Sequence, residues 1–284
     1  MSKVAVVTDS TAYLPPDLVK KHNITVAPLI LIWGEETFRD GVDIMPEEFY
    51  RRLSTAKVMP TTSQASIANM KEIFEKLLSE GYDVLGIFIS SKLSGTIASA
   101  EQAIEMLPKA KDKITIVDSL ATSMAMGFHV LAAARAAQAG ETLAACRKLA
   151  EKAREHTGLF FAVDTLEFLR RGGRIGGAQA LLGTALNIKP VLELRDGRVE
   201  SVEKVRTKGK ALARVVELVV EQVAGRTPVR LATLHANAEA EARSLLEAAT
   251  ARLNPTESVF ASVSPVIGNH AGPGTVGLAF MAGM

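Results

Sequence analysis

The sequence predicts an α/β fold in two domains: an N-terminal parallel-sheet α/β domain, residues 1–155, and a C-terminal mixed α+β domain, residues 156–284. Three observations predict it. Short apolar runs alternate with helical patterns through the first half, the signature of parallel βαβ units. From about Gly158 the pattern changes to a strand, a short helix and a hairpin. At 284 residues, the chain also exceeds the usual size of a single hydrophobic core.

Residues 4–7 read as a strand, followed by the polar run Thr8-Asp9-Ser10-Thr11 and a turn at Pro15-Pro16. Residues 24–33 form one long apolar run, closed by a hairpin turn at Gly34-Glu35-Glu36. Residues 46–53 predict a helix with Pro46 at its first position, and Met45 before it cannot cap. Ser66 suits the cap of a helix carrying Ile67, Met70, Ile73, Phe74 and Leu77 on one face and ending at Gly81. Residues 84–89 read as a buried strand, 90–96 as a polar turn, and a helix then runs to Leu107-Pro108. Residues 114–117 are the next strand, followed by Asp118-Ser119 and two alanine-rich helices.

In the second half, residues 159–163 are a strand, and a short helix leads into Arg170-Arg171-Gly172-Gly173-Arg174. Residues 191–194 and 199–205 flank Arg195-Asp196-Gly197-Arg198, a strong hairpin signal. Two amphipathic helices and two further strands complete the pattern. Residues 264–274 read as an irregular glycine-rich turn around His270.

The composition is 48% hydrophobic, 23% charged and only 5% aromatic, so the core is largely aliphatic. No stretch approaches the ~18 apolar residues of a membrane span. Ser2-Lys3 followed by four apolar residues does not resemble a signal peptide. Cys146 is the single cysteine, which excludes an internal disulfide and a cysteine-built metal site and suits a reducing cytoplasm. A net charge of +2 gives no electrostatic footprint for nucleic acid.

Polar clusters follow three of the predicted strands: 8–11, 90–96 and Asp118-Ser119. In a parallel sheet these share the carboxyl edge, where ligands bind. Hydroxyls beside helix N-termini suit a carboxylate or phosphate oxygen, although Ser, Thr and Asp also serve there simply as caps. Other motifs fail. Gly272, Gly274 and Gly277 match dinucleotide spacing, but too little chain follows for the required helix and acidic residue. Ser54/Lys57 and Ser201/Lys204 have serine–lysine spacing without supporting motifs. No P-loop, nucleophile elbow or helical histidine pair is present.

Taken in order, Thr8-Asp9-Ser10-Thr11, Thr62-Ser63-Gln64, Ser90-Ser91-Lys92-Leu93-Ser94-Gly95-Thr96, Asp118-Ser119, residues 170–175, Lys204-Val205-Arg206-Thr207 and residues 265–274 closely resemble the DegV family, essentially end to end. That family includes the fatty-acid-binding subunits of bacterial fatty acid kinase. Two departures are visible. Ala65 stands where the family commonly has proline, which bears on the loop carrying Thr62. Asn269 and Ala271 replace threonines that often flank the late histidine, which bears on contacts around His270.

The resemblance implies a lipid tunnel between the two domains and a bound long-chain fatty acid as ligand, with no covalent cofactor and no metal. It places Thr62, Ser94, Gly95 and His270 at the fatty-acid carboxylate. Asp9, Ser10, Ser63 and Ser119 are candidates for the edge of the site. Arg174, on an exposed loop, and Arg206 are candidates for meeting a partner or the transferred phosphate, far enough from Ser94 to leave lipid affinity unchanged. The implied partners are an ATP-binding fatty acid kinase subunit, which makes the acyl phosphate, and an acyltransferase acceptor in phospholipid synthesis. Transient membrane association is compatible with this, and oligomeric state is left open.

The residue types suit the task independently. A carboxylate drawn out of water must recover its hydrogen bonds, and hydroxyls do so without a permanent ion pair. Burying a C16 tail at ~0.8 kcal/mol per methylene gains on the order of 12 kcal/mol before ordering costs. Release is then slow, which favours chemistry on the bound lipid. Two other readings stay open on residues alone. One is a serine-dependent acyl hydrolase or transferase with Ser94 as nucleophile and His270 as base. The other is a regulatory nucleic-acid-binding module using Arg170, Arg171, Arg174, Lys204, Arg206, Lys208 and Lys210.

Overall fold

The computed structural model describes residues 3–183 and 188–284, and Ser2 of the N-terminal Ser2-Lys3 pair lies outside the described residues. In chain order the strands and helices of the first half are β1 (Lys3–Asp9), α1 (Pro16–Lys21), β2 (Thr25–Ala27), β3 (Ile30–Trp33), β4 (Glu36–Arg39), α2 (Pro46–Leu53), β5 (Thr61–Ser63), α3 (Ile67–Ser79), β6 (Tyr82–Phe88), α4 (Thr96–Glu105), β7 (Ile114–Asp118), α5 (Ser123–Gln138) and α6 (Leu143–His156). The second half adds β8 (Thr157–Ala162), α7 (Glu167–Arg171), β9 (Lys189–Arg195), β10 (Arg198–Val205), α8 (Lys208–Val223), β11 (Val229–His235), α9 (Glu239–Leu253), β12 (Glu257–Val259), α10 (Pro265–Ala271) and β13 (Val276–Ala282).

The first sheet is parallel throughout, in the order β2-β1-β6-β7. The second is mixed, β10-β9-β8-β13-β11-β12, antiparallel except where β11 meets β12. A small antiparallel sheet, β4-β3-β5, stands beside them. This is the α/β class read from the sequence, with a parallel sheet followed by a mixed one.

The layers follow from which faces are apolar. Helices α3 and α4 cover one face of the first sheet over Val7, Phe74, Phe88 and Ala100. Helices α8 and α9 cover the outer face of the second over Phe160, Val215, Leu231 and Phe280. Between the two sheets lies α5, in contact with β1 and β6 on one side and β8, β11 and β13 on the other. A helix sandwiched between sheets cannot spare a polar face, and from Ser123 to Leu131 every residue of α5 is buried. Along β8 the pleat sends Leu159 and Phe161 inward toward α5, and Phe160 and Ala162 outward toward α8.

Local signals account for most boundaries. Ser66, Thr142, Thr207 and Ser264 each accept a backbone N–H in the first turn of the helix they cap. The β9–β10 hairpin turns through Asp196 and Gly197, both at positive φ, as Asp-Gly predicts. The apolar run 24–33 divides, with Pro28 and Leu29 separating β2 in the parallel sheet from β3 in the small one. Two expectations need correction. The second half has three strands and three helices after the hairpin, where two of each were expected. Residues 264–274 are not an irregular turn. Ser264 caps, Pro265 takes the first helical position, and α10 runs to Ala271 before Gly272 ends it at φ 82°.

Within α10, Gly268 faces Tyr50 of α2, and a Cβ there would collide with the Tyr50 hydroxyl. Tyr50 is 5% exposed and packed edge-on against Phe49, so it cannot swing aside. Ordinarily alanine stabilises a helix interior relative to glycine. Here we expect Gly268→Ala to lose about 1–3 kcal/mol through overpacking. Urea denaturation measures this, and a more stable variant would show that α10 is not held closely against α2.

Candidate functional site

Thr62 sits in the middle of β5, opposite Leu31 of β3. Ser94 lies in the turn between β6 and α4, its N–H donating to the Ser90 carbonyl at 3.1 Å. Its hydroxyl is 2.9 Å from that of Thr96 and accepts the Thr96 N–H at 3.3 Å. Gly95, the residue before α4, lies against Gln64, whose side chain would stand 3.2 Å from a Cβ. The absence of a side chain therefore lets the 90–96 turn approach the end of β5. His270, near the end of α10, completes the group: its Nε2 is 2.7 Å from the Thr62 hydroxyl.

Thr62, Ser63, Ser94 and His270 line one cavity between the first and second sheets, together with Leu29, Ile89, Leu93, Phe161, Leu169 and Arg174. Apolar side chains supply most of the remaining wall, with Thr122, Ser123 and Thr275 as further hydroxyl-bearing residues. Burial, and then the positive fields of Arg174 and Arg171, lower the His270 pKa to about 4. The ring is therefore neutral at physiological pH. Its Nδ1 is buried without a partner and lies against Gly172, where any side chain would occupy the space of the ring.

Arg174 is not on an exposed loop. It is half-buried, its Nε donates to the Leu93 carbonyl at 3.0 Å and its Nη1 to Gly172 O at 2.6 Å. These bonds tie the segment after α7 to the turn holding Ser94. The guanidinium shares the cavity wall with Ser94, so insensitivity of lipid affinity to its loss no longer follows. Arg206 stands apart, over a shallow depression with Asp164, Leu182 and Lys189.

The remaining candidates lie elsewhere. Asp9 accepts hydrogen bonds from the Thr11 N–H and hydroxyl and from the Ile89 N–H. Ser10 donates to Asp40 at 2.7 Å, and both Asp9 and Ser10 line a separate cavity of about 600 Å³ beside α1. Ser119 donates to the Phe88 carbonyl at 2.7 Å and closes its own turn. Of the two departures noted above, Ala65 is fully buried, and Asn269 is buried with its Oδ1 unpartnered.

Sequence reasoning missed Asp40, which is fully buried and accepts the Val266 N–H at the start of α10 at 3.3 Å. An aspartate in an Arg-Asp-Gly turn carries no signal of that contact. Among the described residues no group of acidic, histidine or cysteine side chains could hold a metal ion, and no helix is long and apolar enough to cross a membrane.

The DegV family model, described as an uncharacterised protein family, matches residues 3–283. A DegV domain-containing protein of Streptomyces coelicolor is 39% identical over 277 residues, covering 97% of each chain. Among solved structures, a Thermus thermophilus DegV family protein described by its fatty acid binding superposes with a TM-score of 0.92 at 37% identity, covering 99% of both chains. The Bacillus subtilis DegV structure, described as a fatty acid binding protein, gives 0.90 at 35% identity, covering 99% of this chain and 100% of that one. On the extent of these matches, the chain belongs to the DegV family.

Proposed function

We propose that this chain binds one long-chain fatty acid between its two sheets and presents the carboxylate to a separate ATP-dependent kinase subunit in the cytoplasm. The observation that carries the reading is that Thr62, Ser94 and His270 line one cavity whose wall is otherwise mostly apolar. Two relatives above 30% identity described as fatty acid binders support it. In this reading the two units divide at residues 155/156.

Thr62 and Ser94 donate hydroxyls to the carboxylate, the Gly95 N–H adds a backbone donor, and Ser63 lies at the edge. Neutral His270 holds the Thr62 hydroxyl by its Nε2 and so fixes where that hydroxyl points. Arg174 supplies positive potential at the mouth, while Arg206 contacts the partner. The cavity measures about 100 Å³, less than the ~300–1,000 Å³ of typical ligand sites. Taking up a long chain therefore requires its aliphatic walls to move apart.

The hydrolase reading needs Ser94 and His270 as a hydrogen-bonded pair. Instead His270 is engaged with Thr62 and Ser94 with Thr96. Of the basic groups the nucleic-acid reading uses, Arg170 pairs with Glu167, Lys208 with Asp164 and Glu241, and Arg174 is tied to the Leu93 and Gly172 carbonyls.

The purified protein is expected to carry one fatty acid per chain, seen by native mass spectrometry, and Arg206→Ala to keep that lipid while losing kinase-coupled acyl-phosphate formation. Protein with no lipid, whose melting temperature ignores added fatty acid, sinks the binding claim; normal turnover by the variant sinks only the docking claim.

Thr62→Ala and Ser94→Ala should each weaken fatty-acid binding by about 1–3 kcal/mol, and the two losses should be non-additive because they serve one group. Titration calorimetry on the single and double variants decides this; unchanged affinity in the double variant places the carboxylate elsewhere.

In delipidated protein the His270 ring should stay predominantly unprotonated, with no titration midpoint, between pH 8 and pH 5 by NMR. Its folded pKa, about 4, lies below the ordinary value of 6.5. The stability it contributes is therefore complete above pH 6.5 and is lost as pH falls toward 4. A midpoint between pH 6 and 7 would mean the ring is solvated rather than enclosed.

A further inference from the structure

Helix α5 begins inside the protein. Its cap residue, Thr122, is of the right type, but it makes no side-chain capping bond. Ser123, Met124 and Ala125, which carry the first free N–H groups, are 2%, 1% and 2% exposed. Among the described residues nothing accepts a hydrogen bond from these three N–H groups. The Thr122 hydroxyl is also orphaned: the residue is 8% exposed and its Oγ1, shielded from solvent, has no partner. Thr122 and Ser123 line the same cavity as Thr62, Ser94 and His270.

A buried helix start without partners is costly, because each unmet donor forfeits the hydrogen bond it had in water. It is also an oxygen receptor, since the N–H groups and the helix dipole all favour an electron-rich atom. A saturated alkyl chain passing this point satisfies none of these groups. A chain bearing a hydroxyl satisfies both kinds at once: its oxygen accepts from an α5 N–H, and its hydrogen is donated to Thr122 Oγ1. The point lies along the cavity wall from the carboxylate group, since Ser90 bonds to the Ala121 carbonyl at 2.9 Å and Ser94 to that of Ser90 at 3.1 Å. Ligand head and helix start are thus one strand apart on the same sheet edge.

We propose that the cavity is built for long-chain fatty acids carrying a hydroxyl on the acyl chain, read by Thr122 and the N-terminal N–H groups of α5. This rests on the fatty-acid reading above and specifies its ligand class.

The test uses delipidated full-length protein and isothermal titration with stearic acid and with its 3-, 10- and 12-hydroxy derivatives. At least one hydroxy isomer should bind roughly tenfold or more tighter than stearic acid, the worth of satisfying a buried orphan. Thr122→Val, which keeps shape and removes the hydroxyl, should cut that preference to near unity while stearic acid affinity stays within about twofold. Stearic acid binding as tightly as every hydroxy isomer overturns the proposal and leaves fatty-acid binding intact. A preference that survives Thr122→Val also overturns it. Failure of all four acids to bind overturns the fatty-acid reading itself.

Discussion

The carboxylate of Asp40 is the contact on which the site's geometry turns. It comes from the turn after β4 in the first half, yet it takes a hydrogen bond from Ser10 at the end of β1 and another from the Val266 N–H at the start of α10. Three distant segments therefore meet at one buried charge. With α10 held at its start by Asp40 and along its length by the close approach of Gly268 to Tyr50, His270 arrives opposite Thr62. Without that anchor, nothing local would bring a residue of the late chain to a strand formed 208 positions earlier.

Burying this carboxylate has a cost that shows in its protonation. Desolvation raises both Asp40 and neighbouring Asp9 to about 6, with the hydrogen bonds only partly compensating. The sign is opposite to that of the histidines. Stability associated with protonated Asp9 and Asp40 is complete below about pH 4 and is lost as pH rises through 6. His129, held down at about 3 by burial, and His270 lose theirs as pH falls below 6.5. Opposed slopes in one window flatten the pH dependence of the fold, so mild acidity should leave the domain arrangement and the head-group wall together.

How much of this was legible follows from the range of each interaction. Caps such as Ser66, the Asp-Gly hairpin and the alternation of strands and helices are local, and they stand in the sequence as written. The carboxyl-edge clusters were also readable, because a parallel sheet places the ends of β1, β6 and β7 side by side. Helix α10 was not: two prolines and three glycines between 264 and 274 read as a loop, while Ser264 and its partner Asp40 make the start of a helix. Arg174 was misplaced for the same reason. Its loop is set by a long-range bond to Leu93, and no composition rule encodes that.

The same distinction explains why capping and binding could not be separated from sequence. Ser66, Thr142 and Thr122 all precede helices and look alike on the page. Ser66 and Thr142 lie at the surface and accept the N–H they face, closing the helix end on itself. Thr122 sits at the seam of two sheets, where its helix end is buried, its residue lines the cavity and its hydroxyl has no partner in its own backbone. The chemistry of the residue is constant; what converts a cap into a receptor is enclosure. A hydroxyl in water has nothing to gain from a ligand oxygen, because water already supplies one. Shut between α5 and the aliphatic wall, the same hydroxyl and the N–H groups behind it discriminate between an alkyl segment and an oxygenated one by the full penalty of an unmet bond.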